Sequence, residues 1–163
     1  MQKDIGVEHV VRSFHTAYEA FIARFESQLG KHDVSAYWDS VADPNRAKDG
    51  EAILRGQEGS SGFMVFTTYD HGALLNIKRA PQKARQYVLG NPLYAARMTQ
   101  HDIRAGLYAP LRVLIYVDHT GSTCVEYDLP SSLFGQFEND KVREVAAELD
   151  RKLSALIEQS ASA

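Results

Sequence analysis

The chain has 163 residues, 44% of them hydrophobic and 24% charged, with a net charge of −3. That length supports one real core; the mildly acidic balance argues against general nucleic-acid binding; and no apolar run approaches the roughly 20 residues that span a bilayer. The single cysteine, Cys124, excludes an internal disulfide and any cysteine-rich metal motif, and the N-terminus lacks an apolar leader core, so we expect a cytoplasmic protein.

In chain order, "VEHVVRSF" at 7–14 reads as a strand. A helix follows over 16–29: Thr16 and Glu19 form a capping box, and Tyr18, Phe21, Ile22, Phe25 and Leu29 recur at helical spacing up to Gly30. Residues 31–60 carry Pro44 and many Gly, Asp and Ser. They read as a long excursion, a lid, partner-binding or mobile loop holding a short helix near 46–55, with Tyr37 and Trp38 docking it onto the domain. A strand at 63–69, a short helix after His71 and a strand running into Gly90–Asn91–Pro92 come next. Asn91 caps a helix with Pro92 in its first turn and Leu93, Ala96, Ile103 and Leu107 on one face. "LRVLIYV" at 111–117 and "STCVEYD" form a hairpin around Asp118–Gly121. A helix at 139–158 has a stripe of Val142, Val145, Ala146, Leu149, Leu153 and Leu156. We expect one α+β domain over 1–158, its antiparallel or mixed sheet packed on helices, and a frayed tail at 159–163.

The order of motifs "VFTTYDHGALL", "YVLGNP", "APLRVLIYVD" and "CVEYDLPSSL" resembles the bacterial and archaeal family known as domain of unknown function 302. The resemblance covers roughly Phe63 to Leu133. It implies a curved sheet of the TATA-binding-protein-like class against helices, and a homodimer; it supplies no catalytic residues. The 31–60 segment is longer than that family's usual connection, and Tyr69 stands where an Ile is usual.

For chemistry, Asp70–His71 at a strand end offers a carboxylate beside an imidazole, but the two point to opposite faces of a strand, and Asp70 also suits a helix cap. From Lys78 to Arg112 seven basic residues are opposed only by Asp102. On the expected helix Arg97, His101 and Arg104 share a face, able to hold a carboxylate or phosphate. The six histidines show no metal-ligand spacing, and no phosphate loop or serine elbow is present. We therefore expect a small-ligand-binding domain leaning towards anions, with a pocket near the ends of strands 63–69 and 84–90. Its candidate residues are Asp70, His71, Asn91, Arg97, Met98, His101, Arg104 and Tyr127; no metal is expected and the sequence names no cofactor. The alternatives are an enzyme using His71 as acid or base on a carboxylated or phosphorylated substrate, and a protein-interaction module.

Overall fold

The computed structural model describes residue 2 and residues 4–162. Six strands form one mixed sheet: β1 (His9–Phe14), β2 (Gly30–Lys31), β3 (Met64–Asp70), β4 (Ala84–Gly90), β5 (Leu111–Val117) and β6 (Thr123–Asp128), in the spatial order β1-β6-β5-β4-β3-β2. All neighbours are antiparallel except β2, which runs parallel to β3. Strand alternation turns Tyr87 and Leu89, Val113 and Ile115, and Val125 and Tyr127 to one face. There they meet Phe21, Ile22 and Phe25 of α1 (Tyr18–Ser27) and the apolar stripe of α7 (Asp140–Ala161). Each such side chain gains about 1.5–3 kcal/mol by leaving water. The other face is less covered: the 31–60 excursion packs on its Met64 end, while Val11 and Tyr69 stand more than half exposed on it, at 58% and 51%.

The excursion is folded. It holds a 3-10 turn at Val34–Ala36, α2 (Trp38–Val41) and α3 (Ala47–Gln57), the last close to the helix expected at 46–55. Tyr37 and Leu54 bury against Met64, so Tyr37 docks the segment while Trp38 stays exposed. Gly30 and Gly59 let two backbones touch: a Cβ on Gly30 would lie 1.8 Å from the Gln57 carbonyl, and one on Gly59 2.2 Å from that of Gln28.

Four local expectations are corrected. The capping box does not form: α1 starts after Ala17 without a side-chain cap, because the Thr16 hydroxyl donates to the Ala161 carbonyl and Glu19 pairs with Lys83. The helix opened by Asn91 does not reach Leu107. α5 (Pro92–Thr99) stops, and Asp102 caps a separate 3-10 segment at Ile103–Tyr108, taking Arg104 N–H at 3.0 Å; Ile103 and Leu107 are exposed. Arg97, His101 and Arg104 therefore do not share a helix face. The end of the chain is not frayed over its described part: α7 continues to Ala161 and Ser160 is fully buried, with Ala163 outside the described residues. The helices α4 (His71–Leu74) and α6 (Pro130–Phe134) complete the chain; α6 carried no recognised signal.

Candidate functional site

At the Gly90 end of the sheet, one side chain organises the backbone. Asn91 leaves β4 in an extended conformation, and its Oδ1 accepts from Leu93 N–H at 2.9 Å, capping α5 ahead of Pro92. Its Nδ2 donates at 2.9 Å to Glu58 Oε1 and at 2.9 Å to the Gly62 carbonyl. The end of the excursion, the end of β4 and the start of α5 are thereby fastened to one buried amide.

Beside it lies a cavity of about 230 Å³, walled by Tyr37 from the excursion, Phe66 from β3, Pro92, Tyr94, Ala95 and Met98 from α5, Ala109, Pro110 and Leu111 at the entry to β5, and Phe134 and Leu149 from α6 and α7. The walls are mainly apolar, as in small-molecule sites. At one wall His32 Nε2 lies 2.7 Å from the Tyr37 hydroxyl, and the His32 ring packs on Phe66 with centroids 4.1 Å apart. Burial holds the His32 imidazole below its ordinary range. At another wall the Tyr94 hydroxyl donates to Glu148 Oε1 at 2.6 Å; burial and then that carboxylate push the phenol up to about 12. Arg97 donates to the other Glu148 oxygen at 2.9 Å, and Arg97 and Lys152 both lie over the Tyr94 ring. A wider recess of about 910 Å³ at the opposite end of the sheet, among Tyr18, Glu19, Lys83, Tyr116, Asp118 and His119, is more open and more polar.

Of the candidate site residues read from the sequence, Asn91 and Met98 line the cavity beside α5. Asp70 and His71 do not. β3 and β4 are antiparallel, so Met64 faces Gly90 while Asp70 faces Arg85, and the two strand ends lie about 20 Å apart. One pocket cannot border both, which corrects the expected location. Asp70 caps α4, accepting from Ala73 N–H at 2.7 Å, with Arg85 3.8 Å away; His71 is exposed and its ring neighbours Tyr69. Tyr127 is buried in the core on β6. His101 is exposed beyond α5, and its carbonyl accepts from Asn139. Arg104 binds Asp102 at 2.7 Å. Three residues of the basic segment are matched from elsewhere: Lys83 by Glu19, Arg85 by Glu26, Arg97 by Glu148. Among the described residues no group of His, Cys, Asp and Glu gathers to hold a metal ion, and no helix is long and apolar enough to cross a membrane.

His32, Phe66, Tyr94, Pro110 and Glu148 were not singled out. They come from five separated stretches, and nothing in the local sequence of any one of them marks a shared wall.

A solved structure with a similar fold is the crystal structure of the uncharacterized conserved protein DUF302 from Bacillus stearothermophilus. The two align with a TM-score of 0.64 over 93% of this chain and 97% of that one, at 19% sequence identity. No curated protein matches the chain significantly. The model of the family described as Domain of unknown function DUF302 matches residues 48–160, from α3 to the last turns of α7, and the chain belongs to that family.

Proposed function

We propose that the protein is a small-ligand-binding domain, working as a homodimer, whose ligand occupies the cavity beside Asn91. The observation that carries this reading is the cavity itself: about 230 Å³, with aromatic and proline walls fixed by a buried amide network. The reading departs from the anion expected from the basic segment, because Arg97 and Arg104 each already hold a carboxylate and neither lines the cavity. The enzyme alternative draws no support from His71, which is exposed at the far end of β3. Support for the dimer comes from the exposed part of the second sheet face, with Val11 and Tyr69.

Toluene titrated into isotopically labelled protein tests the cavity. The expected result is saturable shifts at the Met98 methyl and at Ala95, with a Kd of about 1 mM or lower, which is about −4 kcal/mol. Narrowing the cavity by Ala95→Leu abolishes them. Toluene shifts confined to other residues sink the reading. Sedimentation velocity should give twice the 18.2 kDa chain mass; a monomer at every concentration removes the dimer.

A further inference from the structure

We infer that the cavity selects a small neutral aromatic molecule carrying one hydrogen-bond donor, a phenol or an indole in chemical class; the inference rests on the cavity being the binding site proposed above. Size comes first. An apolar protein cavity of roughly 150 Å³ takes up benzene, so about 230 Å³ holds one ring with a short substituent or a fused pair of rings. Shape comes next: ring surfaces of Tyr37, Phe66 and Phe134, with Pro92, Met98 and Pro110 between them, favour a planar apolar body.

The decisive feature is the count of available protons. The polar side chains on the wall have already given theirs away. Asn91 donates to Glu58 and Gly62 and accepts from Leu93. Tyr94 donates to Glu148. Tyr37 lies 2.7 Å from a His32 nitrogen, a contact whose direction the His32 tautomer sets; burial disfavours the charged imidazole, and we assign the proton to the phenol, the stronger acid beside a neutral ring. Pro92 and Pro110 contribute no backbone N–H. What the side chains still offer a ligand is acceptor capacity on the phenol oxygens. A carboxylate or phosphate would enter without a side-chain donor to replace its water and is disfavoured. A molecule with an O–H or N–H to give completes the Tyr37 oxygen. His32 acts on this selection through Tyr37, as a positioning residue that takes the phenol proton.

Toluene, anisole, phenol and benzoate, titrated calorimetrically into the full chain at about pH 7.5, test the inference. Phenol should bind more tightly than anisole, which has the oxygen but no proton, and benzoate should not bind. In Tyr37→Phe the preference for phenol over anisole falls about fivefold, the worth of one hydrogen bond. In His32→Ala, Tyr37 keeps a proton to give, and anisole gains on phenol; should that variant fail to fold, Tyr37→Phe decides alone. An unchanged preference in Tyr37→Phe, or benzoate binding more tightly than phenol, overturns the donor selection, while toluene binding leaves the cavity standing. A wild-type protein that binds none of the four loses both the cavity reading and this inference.

Discussion

The Asn91 side chain closes three contacts at once, and removing it strands the groups it serves. In Asn91→Ala the Gly62 carbonyl and the Leu93 N–H lose their partner in a buried setting, and α5 loses its cap. The expected cost is about 2–4 kcal/mol, read as a lowered urea midpoint with an unchanged slope. A loss below about 1 kcal/mol would mean that water replaces the amide. A second residue-scale prediction concerns pH. His9 holds Asp128 with Nδ1 at 2.9 Å and Glu126 with Nε2 at 3.2 Å, and Tyr116 donates to the other Glu126 oxygen at 2.5 Å. The hydrogen bonds from Asp128 and then Glu126 raise the His9 pKa above its ordinary value. Folding therefore favours the protonated imidazole. Its contribution is fully present below the unfolded pKa of about 6.5 and is lost as pH rises through the higher folded value. His9 is half exposed, so solvent screening leaves a few tenths of a kcal/mol. His9→Gln should be slightly less stable than wild type at about pH 5.5 and equal to it at about pH 8.5. An imidazole NMR midpoint at or below the unfolded value would contradict this.

At the scale of elements, the excursion is held to the sheet by close backbone approach as well as by side chains. Gly30→Ala places a Cβ 1.8 Å from the Gln57 carbonyl and 2.6 Å from the Gly59 nitrogen. Backbone cannot yield as a flexible side chain does, so the cost should exceed about 2 kcal/mol and the protease sensitivity of 31–60 should rise. Gly56→Ala, in the last turn of α3 with open space around it, is the control and should be neutral or stabilising by up to about 1 kcal/mol. An equal response of the two variants would show that the backbone around Gly30 yields to the added Cβ. The elements whose ends moved from their expected positions share a cause. Thr16 has the chemistry of a cap, but its hydroxyl is drawn to α7. Asp102 follows an apolar helical stretch, and its carboxylate starts a new turn there. A short polar side chain serves a local cap or a distant partner equally well, and its neighbours in sequence do not say which.

Across the whole molecule, the two ends of the chain brace one another. Thr16 donates to the Ala161 carbonyl at 2.6 Å, Gln28 to the Ser160 hydroxyl at 3.1 Å, Arg24 to the Ser162 carbonyl, and Arg12 pairs with Glu158. A chain ending at Gln159 loses three of these contacts and the buried Ser160. It should unfold at lower urea, by about 1–3 kcal/mol, in a single transition. An unchanged midpoint would show the last residues to be dispensable.

The succession of strands and helices was legible because it rests on local rules. Alternation over 111–117 marks a strand whose Val113 and Ile115 face the core. The 3.6-residue stripe from Val142 to Leu156 marks a helix seated on that sheet. Asn91 before Pro92 marks a helix start, and Asn91 and Met98 do border the cavity. The α+β class and the family resemblance followed from the order of such signals. Tertiary structure alone decided which strand ends meet. Antiparallel pairing sends Asp70 and Gly90 to opposite ends of the sheet, a relation that no single strand contains. It also decided the charge of Arg97, which is held by Glu148 from a distant helix. The cavity belongs wholly to this second class. Its walls come from Tyr37, Phe66, Met98, Pro110 and Phe134, far apart along the chain, and a void exists only where packed elements fail to fill the space between them.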